Sequence, residues 1–179
     1  METGFRKLEM NELGRLSVDE AINQTKNNFV FVLDGIRSLN NVGSIFRTAD
    51  ASASSGIYLC GFTGQPPHRD IQKTALGATE TVFWQYFESI EKCLLALIDS
   101  GFKIVSVEQT ANSVALDSFT FQKSEKYAFV LGNEVSGVST EALSLSDMVL
   151  EIPQFGSKHS LNVAVSAGIV GWAFISKVI

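Results

Sequence analysis

An α/β fold, a mostly parallel sheet with helices on both faces, is predicted by two features of this chain. Short apolar runs alternate with helix-period segments throughout, the order of strand, helix, strand that builds parallel sheets. The clearest run, Phe29-Val30-Phe31-Val32-Leu33, is continuously apolar, as a strand covered on both faces must be. At 179 residues the chain is expected to form a single globular domain. Residues 1–28 are expected to be an N-terminal helical appendage and 29–179 the main domain.

Taken in order, residues 8–25 read as an amphipathic helix. Leu8, Leu13, Leu16, Val18 and Ile22 form an imperfect apolar stripe, and Ser17-Val18-Asp19-Glu20 has the form of a capping box. After strand 29–33 and a polar loop, Val42, Ile45, Phe46 and Ala49 recur at helical spacing. A strand is expected at 56–60, then a Pro- and Gly-broken loop over 61–70 and a short helix over 71–76 ended by Gly77. Strand 81–86 comes next, and then helix 89–100, with Gly101 as its stop. Strand 103–107 precedes a polar, irregular stretch over 108–126. The rest reads as strand 128–131, helix 140–145, strand 148–152 and a final helix over 161–179. That helix is apolar nearly all round, so it is expected to be buried on more than one side, by deep insertion or at a subunit interface, and a homodimer is expected.

Composition narrows the function. No apolar run approaches the roughly 20 residues of a membrane span, and Met1 to Lys7 lack the apolar core of a secretory signal, so a cytoplasmic protein is expected. Cys60 and Cys93 sit in different elements with no cluster of His, which indicates neither disulfide nor zinc: two buried, reduced thiols. The net charge of −5 argues against a general nucleic-acid binder. Local distribution softens that objection. Arg37, Arg47, His68, Arg69, Lys73, Lys158 and His159 lie in or near the loops described next, whereas acids gather at Glu88, Glu91, Glu125, Glu141 and Asp147.

Three segments share one design of apolar strand, glycine-bearing polar loop and helix start: 33–50, 128–137 and 150–165. Loops of this kind at the strand ends of α/β proteins are where ligands bind. Gly132 and Gly137 have P-loop spacing, but Val138 stands where the lysine is required. The G-x-G-x-x-G fingerprint and a nucleophile elbow are absent too. Read singly, Asn41 is an N-cap, Arg47 a surface charge or the partner of Asp50, Glu134 a helix-dipole partner and Ser160 an N-cap. Asn162 is harder to explain so simply, since it interrupts an otherwise apolar run and needs partners. Gly43 allows close packing or ligand approach, and Gly132 lets its backbone line a pocket.

Taken together, the three segments resemble the three motifs of the SpoU family of RNA 2′-O-methyltransferases, members of the knotted SPOUT superfamily, from about Phe29 to the C-terminus. The resemblance implies a C-terminal trefoil knot, which general topology rules disfavour. It also implies S-adenosyl-L-methionine as cofactor, tRNA or rRNA as substrate, and no metal, DNA or membrane partner. Arg47 matches the family's catalytic arginine, and Asn41, Glu134, Ser160 and Asn162 match its other polar motif positions, with Glu134 ordering Asn41 or Arg47. A guanidinium is a poor general base, so Arg47 is assigned chiefly to orienting a phosphate and the 2′-hydroxyl. Val107, Gly132, Ile152, Ser160 and Leu161 match cofactor-binding positions. The third motif departs from the family at Gln154-Phe155-Gly156, where relatives often carry a methionine. Two readings compete with the enzyme: an RNA-binding or assembly protein that kept the fold, separable by cofactor binding, and a nucleotide-dependent α/β enzyme, separable by ATP or NAD binding.

Overall fold

A computed structural model describes residues 4–178 of the chain. The main domain opens with β1 (Asn27–Asp34), α2 (Leu39–Ala51) and β2 (Ser54–Cys60), preceded by a small helix α1 (Val18–Asn23). Then come α3 (Arg69–Ala75), α4 (Ala78–Thr81), β3 (Trp84–Phe87), α5 (Ile90–Asp99), β4 (Phe102–Val107) and β5 (Val114–Ala115). The chain ends with β6 (Lys126–Leu131), α6 (Thr140–Ser144), β7 (Met148–Glu151) and α7 (Val163–Val178). The strands form one seven-stranded sheet in the order β3-β2-β1-β6-β4-β7-β5, and every pairing is parallel.

The continuous apolar runs are explained by this sheet. In β1 and β6 alternate side chains face opposite layers, and both layers are covered. Phe29, Phe31, Leu33, Tyr127, Phe129 and Leu131 point into a core with α2 and α7, where the Phe29 and Phe174 rings lie 5.0 Å apart. Val30, Val32, Ala128 and Val130 point the other way, against Ile90, Cys93, Leu94 and Leu97 of α5 and Ala142 of α6. Cys60 and Cys93 are both buried and free, as expected, but the sequence concealed that they meet in this second layer. The neighbouring Cys93 thiol, with burial and the nearby Asp34 charge, pushes the Cys60 thiol far above its usual range.

Several expected elements are placed differently. The amphipathic helix over 8–25 is two pieces, a 3-10 turn Met10–Glu12 and α1, separated by Gly14 at φ +56°. The capping box is present: Ser17 Oγ accepts from the Glu20 N–H at 3.3 Å and Glu20 Oε2 accepts from the Ser17 N–H at 2.8 Å. The stripe does not face the core, because Leu8, Leu13, Leu16, Val18 and Ile22 are exposed and only Ala21 of α1 is buried. The strand expected over 81–86 starts later. Leu76 and Gly77, both at positive φ, turn the chain into α4, and Thr81 ends that helix by donating to Asp50 Oδ1 at 2.6 Å. The irregular stretch contains β5, a two-residue strand on the outer edge of β7. The final helix starts at Val163 rather than residue 161, and residues 1–3 and 179 lie outside the described range. Among the described residues no helix is long and apolar enough to cross a membrane.

Two contacts place α3 against α2. Thr74 Oγ1 donates to the Asn40 carbonyl at 3.0 Å, and a Cβ on Gly43 would stand 2.1 Å from Thr74 Oγ1 and 2.2 Å from the Ile71 carbonyl oxygen. Gly43 therefore serves helix packing, not ligand approach. Gly43→Ala is expected to destabilise the fold by about 1–3 kcal/mol, the usual range for overpacking against unyielding backbone. Urea unfolding measures this, and an unchanged midpoint would show that the two helices can separate freely.

Candidate active site

In the centre of the sheet β1 and β6 are neighbours, yet the chain leaves β1 toward β2 on one side and leaves β6 toward the other face. This switch point opens a crevice at the carboxyl ends of the strands. Three loops border it, one after β1 (35–38), one after β6 (132–138) and one after β7 (152–162).

Each loop is held by side chains from the others. The turn after β6 closes on itself: Asn133 and Gly137 exchange two backbone bonds of 2.9 Å, and Asn133 Oδ1 accepts from the N–H groups of Val135 (2.9 Å) and Ser136 (3.1 Å). Asn133 Nδ2 donates across to the Gly35 carbonyl at 2.6 Å. A Cβ on Gly132 would lie 2.1 Å from the Val138 nitrogen, so the absence of a side chain there is required by this turn rather than by a ligand. Asn133 was given no role in the sequence, although an Asn between Gly and Glu at a strand end is a turn signal.

Glu134 is the hub. Its carboxylate accepts from the Arg37 N–H (2.9 Å), the Ser38 N–H (3.0 Å) and Asn41 Nδ2 (2.9 Å). Partial desolvation works against ionisation, but these hydrogen bonds outweigh it and hold the carboxyl below its ordinary range. Because a carboxylate only accepts, Asn41 must turn its Nδ2 toward Glu134 and its Oδ1 away. That oxygen accepts from Asn162 Nδ2 at 3.1 Å, and Asn162 Oδ1 accepts from the Ala164 N–H at 2.9 Å. One chain of hydrogen bonds thus runs from the second motif through the first to the third.

The caps differ from expectation. Ser38, not Asn41, caps α2, its hydroxyl accepting from the Asn41 N–H at 3.3 Å, so Asn41 sits in the first turn with its side chain free for Glu134. At α7 the capping atom is Asn162 Oδ1, while Ser160 is exposed in the loop before it. Arg47 stands about 9 Å further along α2 than Asn41, from the helical rise. It is exposed and joins neither Glu134 nor Asp50, whose Oδ1 accepts from Thr81 instead.

Beside this chain is a cleft of about 570 Å³, within the range that small-ligand sites occupy. Val107, Gly132, Ile152, Ser160 and Leu161 all line it, together with Glu134 and Asn162. Asn41 and Arg47 are not part of its wall. The structure therefore brings together Asn41, Glu134 and Asn162, gathers the five other positions around the cleft, and leaves Arg47 outside. Glu108, unassigned in the sequence, also lines the cleft: Oε2 accepts from the Val138 N–H at 3.0 Å and Oε1 from the Gln109 N–H at 2.8 Å. Gln109 and Gln154 both donate to the His159 carbonyl, at 3.2 and 3.4 Å, and so fasten the third loop. The ionisable lining side chains are Glu108, Glu134 and His159, with no lysine or arginine among them.

Residues 28–172 match the model of the SpoU rRNA Methylase family. The chain belongs to this family. A relative from Neisseria meningitidis serogroup B, the 23S rRNA (guanosine-2′-O-)-methyltransferase RlmB, is 31% identical over 79% of this chain and 55% of its own length. An AdoMet-bound rRNA methyltransferase from Sinorhizobium meliloti has a similar structure, with TM-score 0.80 and 27% identity over 92% of this chain and 62% of that one. The A. aeolicus TrmH/SpoU tRNA modifying enzyme gives TM-score 0.79 at 25% identity, over 89% and 80%. The chain thus spans little more than half the length of the RlmB it matches.

The Glu134 hub has a pH signature. A carboxyl held low in the folded state adds stability that is complete above its unfolded value, near 4.3, and is lost as pH falls through the folded value. The melting-temperature gap between wild type and Glu134→Gln is therefore expected to be widest above about pH 5 and to close on acidification. Calorimetry across that range checks it, and a gap that widens toward low pH would contradict the assigned hydrogen bonds.

Proposed function

We propose that this chain transfers a methyl group from S-adenosyl-L-methionine to a ribose 2′-hydroxyl of tRNA or rRNA. The observation that carries this reading is the Glu134–Asn41–Asn162 chain, which links all three motifs beside one cleft. RlmB, named for 2′-O-methylation, and the AdoMet-bound relative support it.

The cleft's own charge supports this choice of cofactor. Two carboxylates and no lysine or arginine suit a cationic ligand and repel the phosphates of ATP or NAD, which weighs against the nucleotide-dependent alternative. When bound, the cofactor supplies an electrophilic methyl on a positively charged sulfur. Val107, Ile152 and Leu161 would give its adenosine apolar walls, and Gly132 and Ser160 polar groups at the rim.

The remaining work is alignment, which can contribute roughly 7–11 kcal/mol to such a displacement. Glu134 fixes the Asn41 amide, Asn41 fixes Asn162, and Asn162 fixes the start of α7 and hence the loop carrying Ser160 and Leu161. Arg47, free of intramolecular partners among the described residues, offers a fork of donors to a ribose-flanking phosphate and to the 2′-oxygen as it gains charge. Ser160, at the rim, orients the hydroxyl.

Three structural expectations belong to the same reading. Residues 4–26, ahead of β1, form an appendage to the methyltransferase domain, whose first strand takes up Asn27 and Asn28 from the expected segment 1–28. The chain after β7 passes through the segment between β4 and β6 as a trefoil knot; in support, that segment grips α7, Lys177 Nζ donating to the carbonyls of Leu116 (3.0 Å), Asp117 (2.9 Å) and Phe119 (2.7 Å). A homodimer forms through α7, supported by an apolar groove that includes Ile152, Pro153, Val165, Ile169 and Trp172, the last 67% exposed.

Three measurements test the proposal. Wild-type protein with labelled cofactor and total RNA from a strain lacking it should transfer methyl to ribose 2′-oxygens. Arg47→Ala should lower the rate by at least about 100-fold, the scale of a lost oxyanion contact, while calorimetry shows cofactor affinity within about twofold. Failure of the wild type to bind the cofactor would favour an RNA-binding protein that kept only the fold. Sedimentation at micromolar concentration should give twice the chain mass, and Trp172→Glu should give one chain mass; a wild-type monomer would remove the dimer.

A further inference from the structure

Phe62, in the loop after β2, is a large aromatic side chain that is 69% exposed although it rests on a site loop. Its ring lies against Gly35, with a Cβ at that glycine falling 2.9 to 3.5 Å from three ring atoms. Gly35, at φ +65°, belongs to the turn whose far side is held by Asn133 and Glu134. The ring thus packs one part on the first motif and leaves most of its surface to solvent. Hydrophobic burial does not account for an aromatic here, since the core is elsewhere and complete without it.

Cations lie on the elements this loop touches and leads into. Arg37 leaves the same turn two residues after Gly35 and is exposed. Further along the loop, Gly64 sits against Leu39 and Ile71, which brings α3 and its exposed Arg69 and Lys73 alongside the start of α2. Among the described residues, Arg37, Arg47, Arg69 and Lys73 make no salt bridge, and Asp70 is the one acid between residues 68 and 73. An exposed ring on a loop bordered by elements that carry unpaired cations matches single-stranded nucleic acid, whose bases stack on aromatic faces while its phosphates meet positive charge.

We propose that Phe62 is a stacking platform for a base flanking the target nucleotide, with Arg37, Arg69 and Lys73 holding the adjoining phosphates. This rests on the RNA-methyltransferase reading and adds to it a position that contacts substrate away from the reacting ribose. The ring selects for an unpaired base next to the modified nucleotide, because only a base out of its helix can stack on it.

The test compares two labelled single strands of about twelve nucleotides, an oligoadenylate and its abasic ribose-phosphate counterpart, by fluorescence anisotropy. Wild type should bind the oligoadenylate about tenfold more tightly than the abasic strand. Phe62→Leu, which keeps apolar packing on Gly35, should lose that difference while its calorimetric affinity for S-adenosylmethionine stays within about twofold, and Phe62→Trp should restore it. No preference for bases in the wild type, or a preference that survives in Phe62→Leu, would overturn the proposal. A parallel loss of cofactor affinity in Phe62→Leu would do so as well, by showing that the ring only props the turn. Methyl transfer to total RNA separates the two layers: transfer without a base preference removes the stacking site alone, and absence of transfer removes both.

Discussion

The loops at the carboxyl end of a parallel sheet carry backbone N–H groups with no strand to pair with, and the site is built from the way three carboxylates answer that need. Asp34, ending β1, accepts from the Ser139 N–H at 2.9 Å. Glu108, following β4, accepts from the Val138 N–H at 3.0 Å, and Glu134, following β6, accepts from the N–H groups of Arg37 and Ser38. Asp34 and Glu134 form a reciprocal pair, since each loop supplies the acid that orders the other. Such bonds to ionised acceptors contribute more than neutral ones, and each removes an amide that would otherwise lack a partner.

Everything finer in the site follows from these anchors. With the 132–138 turn fixed, neither Gly132 nor Gly137 accommodates a side chain: a Cβ on Gly132 would meet the Val138 nitrogen, and Gly137 is held at φ +71°. With Glu134 fixed, the Asn41 amide has one usable orientation, and it passes that orientation to Asn162 and the first turn of α7. Polar side chains that could each adopt several rotamers are thereby limited to one arrangement before any ligand arrives, which is the condition for catalysis by alignment.

The parts of this arrangement legible in the sequence were those written in local pattern. The sheet and its helices followed from the run Phe29 to Leu33 and from glycine stops such as Gly101, because burial on two faces and positive φ leave compositional traces. The positions around the cleft were reached through motif resemblance, since Val107, Ile152 and Leu161 differ in no visible way from core residues. What stayed hidden was set by partners distant in sequence. Ser38 rather than Asn41 became the cap because Asn41 is claimed by Glu134, 93 residues away. Glu108 reads as the start of a polar loop until Val138 is brought beside it. The apolar stripe from Leu8 to Ile22 looked like a core-facing helix, but Gly14 interrupts it and the domain core is already closed without it.

The acidic balance of the chain, which seemed to oppose an RNA partner, has the same origin. Many of its carboxylates are internal acceptors: Asp34, Glu108 and Glu134 hold loops, Asp147 Oδ2 accepts from the Ile104 N–H at 2.7 Å, and Glu151 accepts from Ser113 at 2.7 Å. The dipoles of those donors offset part of each negative charge locally. Other acids, such as Glu91 on α5 and Glu141 on α6, lie on the layer across the sheet from α2 and α3. Packed layers are about 10 Å apart, so two layers separate these acids from Arg47, Arg69 and Lys73 by roughly twice the screening length of about 8 Å at physiological salt. A phosphate approaching the α2 and α3 face therefore meets exposed guanidinium and ammonium groups at close range, while acids such as Glu91 and Glu141 lie across the sheet.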